Sequence, residues 1–147
     1  MTQEKKLEVL SLIANKLNES KITWSVGGSL LLFLNDKIKT FNDIDLMVTE
    51  EDVIKTDEIL SELGIKLQTI NKYKTKYFLE YIINDVEVDV VAGMIIDKDD
   101  KEYYCPLTKE EIIDYCLVNG QKIPMQSLEK WKYIYELMGN EEKAKLI

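Results

Sequence analysis

The chain has 147 residues, of which 46% are apolar and 31% are charged, a composition typical of a globular protein rather than a disordered one. A chain of this length is most simply one domain around one core, so we expect a single domain over residues 1–147. Its 19 basic and 27 acidic residues give a net charge of −8, which makes a long nucleic acid an unlikely partner.

The sequence gives little support for a membrane-spanning segment or for a zinc site with cysteine ligands. The longest apolar stretch, residues 90–96, is much too short to span a membrane. The first residues lack the apolar core and the cleavage site of a signal peptide, so we expect a cytoplasmic protein with no membrane partner. Cys105 and Cys116, in a chain without histidine, are too few for a zinc site and are interpreted as reduced thiols.

The first third of the chain predicts a helix, a strand and a second helix. Apolar residues at three- and four-residue spacing indicate a helix with one buried face over residues 2–19. A short apolar strand at residues 22–26 then runs into Gly27-Gly28-Ser29 and an apolar helix that ends near residue 34. Such a strand–glycine–helix junction points backbone N–H groups at one spot, which suits an anion.

Two aspartates follow in a β-like stretch. Residues 42–48 read Asn-Asp-Ile-Asp-Leu-Met-Val, and because side chains alternate along a strand, Asp43 and Asp45 project from one face, roughly 6 to 7 Å apart. At about 4 Å and an effective dielectric constant near 20, two carboxylates repel by about 4 kcal/mol unless a cation lies between them. The pair therefore predicts a cation site.

The middle of the chain predicts a helix, a strand and a hairpin. A helix should begin at residues 49–52 and end at Gly64, followed by a strand over residues 65–70. Residues 76–83 and 86–93 then predict two strands joined by a tight turn. In the second strand, the face with Glu87, Asp89 and Val91 is more polar than the face formed by the valines at 86, 88 and 90. That polar face is either part of a site or the solvent-exposed side of an edge hairpin.

The last third predicts mainly helices. The acidic residues 97–102 lack the glycine and the closing glutamate of an EF-hand, so they are interpreted as a solvated turn. A capping box at Thr108 predicts a short helix to about residue 116, and residues 121–124 are expected to be extended. Ser127 should cap a helix that ends near Gly139, and a last helix should begin near residue 141. The predicted buried face of the longer helix carries Leu128, Trp131, Ile134 and Met138.

The glycine turn and the aspartates together resemble a known family. Gly28-Ser29, a spacer of 13 residues (positions 30 to 42) and then Asp43-Ile44-Asp45-Leu46 resemble the nucleotidyltransferase superfamily with its DNA polymerase β-like fold, especially the small bacterial members that modify aminoglycosides and lincosamides. The resemblance implies an α+β (α/β) fold in which helices flank a mixed, twisted β-sheet. We expect the C-terminal part, from about residue 108 to 147, to be a helical tail.

The resemblance also assigns site residues. Gly27, Gly28 and Ser29 would bind the triphosphate. The metal ligands and catalytic carboxylates would be Asp43 and Asp45, with Asp89 as the third acidic residue of the family pattern, and two Mg²⁺ ions are implied. Asp89 would also take the proton of the acceptor hydroxyl.

The tail departs from the family pattern. Small members commonly follow Ile-Pro-x-x-Ser-Leu-Glu, matched here by residues 123–129, with a helix whose lysine and arginine reach the triphosphate. Tyr135 and Asn140 occupy those two positions in this chain. We therefore predict that Lys76 and Lys132 bind the nucleotide instead. Other candidate lysines are Lys74, Lys130 and Lys143.

The implied reaction transfers a nucleoside monophosphate from ATP or another nucleoside triphosphate to a hydroxyl group of a small molecule. Two alternatives remain open from the sequence. One is a toxin-like nucleotidyltransferase that acts on a protein or an RNA end, and the other is a degenerate module that binds nucleotide or a partner without turnover. If the protein has a macromolecular partner, we expect either an antitoxin or a second copy of the chain in a homodimer.

Overall fold

The computed structural model describes residues 1–70 and 73–147. Five α-helices lie within these residues: α1 (Gln3–Glu19), α2 (Gly28–Leu34), α3 (Val53–Leu63), α4 (Leu128–Leu137) and α5 (Glu141–Ala144). The described strands are β1 (Trp24–Val26), β2 (Ile44–Val48), β3 (Ile65–Lys66), β4 (Tyr77–Ile83), β5 (Val86–Ala92), β6 (Ile95–Lys98), β7 (Lys101–Tyr104), β8 (Asp114–Val118) and β9 (Gln121–Met125).

Seven strands form one mixed sheet in the order β3-β4-β5-β2-β1-β9-β8. Two pairs are parallel, β2 with β5 and β1 with β9, and the others are antiparallel. Strands β6 and β7 form a separate hairpin. The predicted α+β architecture, a mixed sheet flanked by helices, is confirmed.

Local sequence explains the ends of several elements. The Thr2 hydroxyl accepts a hydrogen bond from the Lys5 N–H (3.1 Å), which starts α1 as a helix cap should. Asn84 and Asp85 both have positive φ, 48° and 67°, which suits the tight turn between β4 and β5 because Asn and Asp tolerate this conformation. The register that this turn sets decides which side chains face one another across the sheet.

Helix α3 covers one face of the sheet. Tyr81 on β4 is fully buried on that face, and its hydroxyl donates a hydrogen bond to Asp57 on α3 (2.6 Å). The opposite face of β2 and β5 carries Asp45 and Asp89. No helix in the described parts of the chain is both long and apolar enough to cross a membrane.

Most predicted elements in the first two thirds of the chain are confirmed: α1, the strand–glycine–helix junction, β2, α3 and the β4–β5 hairpin. The strand predicted over residues 65–70 is shorter, since β3 ends at residue 66. The acidic residues 97–102 do turn at Asp99 and Asp100, where φ is 53° and 62°, but the residues on either side pair as β6 and β7.

Within the tail predicted for residues 108–147, the helix expected from Thr108 to about residue 116 is wrong beyond Glu111, whereas the extended segment predicted at residues 121–124 is confirmed as β9. The capping box at Thr108 is present, but it starts only a 3-10 turn at Lys109–Glu111. Residues 114–116, predicted to end this helix, belong instead to strand β8 (114–118), which pairs with β9 at the edge of the sheet. The later helices are confirmed, although Met138, predicted to be buried, is 49% exposed at the end of α4.

Candidate active site

The two glycines allow close packing at the junction of β1 and α2. A Cβ atom at Gly27 would lie 2.3 Å from the Trp131 ring, and one at Gly28 would lie 2.4 Å from the Asp45 carboxylate. Gly28 also has a φ of +58°, which favours glycine. The Gly27 N–H donates to the Asp45 carbonyl oxygen (2.9 Å), so the turn is fixed against β2.

A row of carboxylates crosses the open face of the sheet. Asp45 on β2 lies directly opposite Asp89 on the parallel strand β5, and Glu80 on β4 lies opposite Asp89 on its other side. Neighbouring strands are about 4.8 Å apart, so the three side chains emerge close together. Asp43 and Glu87 extend the group by one pleat, and hydrogen bonding with Asp43 raises the pKa of Glu87.

Crowding and burial perturb the two central carboxyl groups. Burial, then repulsion by Asp89 and Asp43, raises the pKa of Asp45 to about 7, against a smaller opposing effect of Lys143. Burial, then the charges of Asp43 and other neighbouring acids, raises the pKa of Asp89 to about 7. Shifts of this size and cause are typical of functional sites.

The C-terminal helices bring a lysine and a tyrosine to the same place. The Lys143 ammonium group on α5 donates a hydrogen bond to the Ser29 hydroxyl and lies 5.9 Å from the centre of the Tyr135 ring. Tyr135 on α4 is only 4% exposed, and its hydroxyl has no hydrogen-bond partner in the described parts of the chain. Burial and the nearby Asp45 charge raise the pKa of Tyr135 to about 12.

Two adjoining cavities open around Asp45. A polar cavity of about 390 Å³ has Ser29, Asp43, Asp45 and Lys143 in its wall. On the other side of Asp45 a cleft of about 240 Å³ includes Gly28, Asp89, Trp131 and Tyr135. The structure thus brings together the predicted Gly27, Gly28, Ser29, Asp43, Asp45 and Asp89.

The two lysines predicted to bind nucleotide do not line these cavities. Lys76 forms an ion pair with Glu50 (3.2 Å), and Lys132 is exposed on α4. Their role stays a prediction. Two of the other candidates are engaged in ion pairs elsewhere, Lys74 with Asp97 and Lys130 with Glu111. Lys143 is the candidate lysine that lines both cavities.

Glu80 was not among the predicted site residues, although its position could be predicted from the hairpin. A two-residue turn at Asn84-Asp85 pairs Ile83 with Val86 and, three residues further along each strand, Glu80 with Asp89. The position of Tyr135 against Asp45 had no local signal, because it depends on how α4 packs on the sheet.

The fold and this site together define a nucleotidyltransferase, as the comparisons with known proteins show. The model of the aminoglycoside-2''-adenylyltransferase family matches residues 9–146. Because the match spans nearly the whole chain, the protein belongs to that family. A comparison with curated protein sequences gave no match.

Solved structures with the same fold include known nucleotidyltransferases. A protein of Thermotoga maritima assigned as a nucleotidyltransferase is 28% identical, with a TM-score of 0.77 over 99% of this chain and 91% of its own. ANT(2'')-Ia, an antibiotic-resistance factor, is 16% identical, with a TM-score of 0.71 over 99% of this chain and 83% of its own. The lincosamide adenylyltransferase LnuA, solved with lincomycin bound, is 15% identical, with a TM-score of 0.64 over 99% and 96%.

Proposed function

We propose that the protein is a metal-dependent nucleotidyltransferase that transfers a nucleoside monophosphate from a nucleoside triphosphate to a hydroxyl group of a small molecule. The observation that supports this most directly is the pairing of Asp45 with Asp89 on parallel strands, beside the turn at Gly28 and Ser29. Carboxylates crowded beside a glycine turn suit a substrate that carries both phosphates and cations.

The carboxylates fit magnesium by their chemistry. Mg²⁺ prefers oxygen ligands, and Asp43, Asp45 and Asp89 offer carboxylate oxygens whose mutual repulsion a cation would relieve. In residues 1–70 and 73–147 no three such side chains already converge as a metal site, so they would adjust on binding. Bound there, two Mg²⁺ ions would stabilise the charge that develops on the phosphoryl oxygens.

Three side chains support binding of the triphosphate. Ser29 and Lys143 line the polar cavity, and the Lys143 ammonium group supplies positive charge where Asp43 and Asp45 alone would repel phosphate. A phosphate oxygen near Tyr135 would give its buried hydroxyl the hydrogen-bond partner that it lacks. Lys143 thus supplies, from the next helix, the charge that the family pattern expects at position 135 or 140.

We propose that Asp89 accepts the proton of the acceptor hydroxyl. Without a cation, burial and the surrounding acids raise the pKa of Asp89 to about 7, so a bound cation would help to keep this carboxylate ionised and able to act as a base. The acceptor oxygen forms a bond to the α-phosphorus while the bond from that phosphorus to the pyrophosphate oxygen breaks. The products are a nucleoside-monophosphate ester and pyrophosphate.

A small acceptor agrees with the charge and with the structural relatives. The net charge of −8 disfavours a long polyanion. LnuA was solved with lincomycin, and ANT(2'')-Ia with adenylyl-2''-tobramycin. We therefore include antibiotics with free hydroxyl groups among the acceptors to test.

The experiment is incubation of the protein with each labelled nucleoside triphosphate, magnesium and a panel of hydroxyl compounds that includes lincomycin and tobramycin. We expect one nucleotide to give a labelled adduct and an equal amount of pyrophosphate. Asp45→Asn and Asp89→Asn should abolish both products, and removal of divalent cations with EDTA should do the same. Calorimetry that detects no heat with any triphosphate, with or without magnesium, would contradict the proposal.

A further inference from the structure

A row of apolar side chains follows the carboxylate row on the same face of the sheet. Strand pairing places Phe78 on β4, Val91 on β5 and Met47 on β2 side by side. Each lies two residues along its strand from Glu80, Asp89 or Asp45 respectively, so the apolar row is displaced by roughly 7 Å. The face that carries the catalytic carboxylates therefore becomes apolar within one pleat of Asp89.

A third cavity, of about 590 Å³, begins on this apolar row. Four residues line both this cavity and the cleft that contains Asp89, so the two spaces adjoin: Phe78, Val91, Met94 and Met138. Its volume lies within the range of small-molecule sites. A ligand that occupies both spaces would therefore extend from the apolar cavity to Asp89.

The cavity is mainly apolar, and its charged side chains are paired. Ile95 and Ile96 extend the apolar wall, and the Tyr73 ring meets the Phe78 ring edge to face at 5.8 Å. The Lys74 ammonium group neutralises Asp97 (3.3 Å) and also contacts Glu102. Such a wall favours an apolar group and offers a polycation no unpaired carboxylate. Glu80 and Glu87 are not part of this wall.

The polar cavity suits the nucleotide better than the apolar cavity does. The polar cavity beside Ser29, Asp43 and Lys143 offers a hydroxyl group, a cation and metal-binding oxygens, which suit a triphosphate. It lies on the other side of Asp45 from the apolar cavity, and the two share no lining residue. The apolar cavity is thus left for the second substrate.

We propose that the apolar cavity binds the acceptor, and that the acceptor is a hydroxyl compound with an apolar group roughly 7 Å from the reacting oxygen, rather than a polycationic amino sugar. This inference rests on the proposed function, because it identifies Asp89 as the base that the hydroxyl must reach. The apolar group would lie over Phe78 and Val91, between Ile95 and Met138. The hydroxyl would then extend past Val91 to Asp89.

The test is an NMR titration of the protein with methyl, butyl and hexyl β-glucoside, which share the sugar hydroxyls and differ only in the apolar chain. Affinity should rise about threefold to fourfold for each buried methylene, and the amide signals of Val91, Ile95 and Met138 should shift. Ile95→Asp should abolish the dependence on chain length. Met138→Asp, at a partly exposed position that tolerates a charge, should weaken the dependence of affinity on chain length. The matched control is Ile54→Asp at a 71% exposed position on α3, which should leave the dependence unchanged.

Three results would overturn the inference: no gain in affinity with chain length, the same gain in Ile95→Asp as in the unaltered protein, or tighter binding of tobramycin than of hexyl glucoside. A Kd for ATP with magnesium that rises in Ile95→Asp, with glucoside binding unchanged, would assign the cavity to the nucleobase and also overturn it. Failure of the proposed function is distinguishable, because it would show as an absence of magnesium-dependent ATP binding. Glucoside binding is measured without nucleotide and does not depend on that outcome.

Discussion

At the scale of single residues, the site stores electrostatic strain that a cation and a nucleotide would relieve. The effect is clearest at Asp45, because burial and the charges of Asp89 and Asp43 all oppose the ionisation of its carboxyl group. It is also the residue whose carboxylate occupies the space above Gly28. A change of charge at constant shape therefore separates its electrostatic role from its packing role.

Asp45→Asn should stabilise the protein without ligands. The folded-state pKa of about 7 lies above the unfolded value, so the ionised carboxylate destabilises the fold increasingly as the pH rises from about 4 to about 7. We expect the variant to melt about 2 to 4 °C higher at pH 8, which corresponds to about 1 kcal/mol, and to show a smaller gain at pH 5. Thermal melts at the two pH values measure this.

The same variant should lose most of the melting-temperature increase that magnesium and nucleotide produce, because a ligand of the cation has gone. Asp97→Asn, which changes an exposed carboxylate outside the two cavities around Asp45, serves as the control. A less stable apo variant with an intact ligand-induced increase would show that Asp45 is a structural aspartate.

Lys143→Met should weaken nucleotide binding. Its ammonium group contacts Ser29 and lines the polar cavity proposed for the triphosphate, so we expect the Kd for ATP to rise about tenfold, or about 1.4 kcal/mol. Isothermal calorimetry with magnesium measures it. Lys145→Met removes the same charge from an exposed position at the end of α5 and should change the Kd little. Equal effects of the two variants would indicate that only the overall charge matters.

At the scale of elements, hydrogen bonds to Asp57 connect α3 to the sheet and make this packing depend on pH. Burial raises the pKa of Asp57, but hydrogen bonds from Tyr81 and Lys66 outweigh burial and hold the pKa below its ordinary value. The Tyr81 hydroxyl, on a fully buried side chain, donates to this carboxylate. The bond ties the face of the sheet opposite the carboxylate row to a helix.

Tyr81→Phe should lower the free energy of unfolding by about 1 to 3 kcal/mol at pH 7, since a hydrogen bond to a charged acceptor is lost. A carboxylate whose pKa is lower in the folded than in the unfolded protein stabilises the fold at pH values above the unfolded-state pKa. This stabilisation is lost as the pH falls through the folded-state pKa. The difference between the variant and the unaltered protein should therefore shrink at about pH 3. Urea unfolding at both pH values measures it, with Tyr133→Phe on the exposed side of α4 as the control. An equal loss at both pH values would contradict the electrostatic explanation.

At the scale of the whole molecule, the path of the chain completes the site. Strand β9 returns to pair in parallel with β1, with Met125 beside Val26. Helix α4 then begins next to the glycine turn, where Trp131 packs on Gly27 and donates a hydrogen bond to Gln126 (3.0 Å). The C-terminal helix α4 is thereby packed against the glycine turn between β1 and α2. An antitoxin or a second copy as partner stays a prediction.

The net charge of −8 should prevent sequence-independent binding of long nucleic acid. We expect labelled RNA and duplex DNA to show no binding by fluorescence anisotropy at physiological salt, while ATP with magnesium still binds under the same conditions. A Kd in the micromolar range for RNA, weakening as salt increases, would instead favour an RNA end as the acceptor.

The sequence by itself determined the features that depend on neighbouring residues. The glycine turn, the alternation that places Asp43 and Asp45 on one face, and the β4–β5 hairpin are all encoded within a few residues of one another. The same locality explains the errors. A capping box shows where a helical turn starts but not how far the helix continues. Residues 114–118 form a strand because they pair with β9 at the edge of the sheet.

The tertiary structure alone decided which side chains from distant segments meet. Lys143 reaches Ser29 across 114 positions of sequence, a contact that depends on the parallel β1–β9 pairing and on the packing of α4 and α5. Tyr135 is buried beside Asp45 for the same reason. The apolar cavity also depends on these long-range contacts, because β4, β5, β6 and the end of α4 each supply part of its wall. Local patterns fix elements and faces, whereas the free energy of packing fixes which elements adjoin.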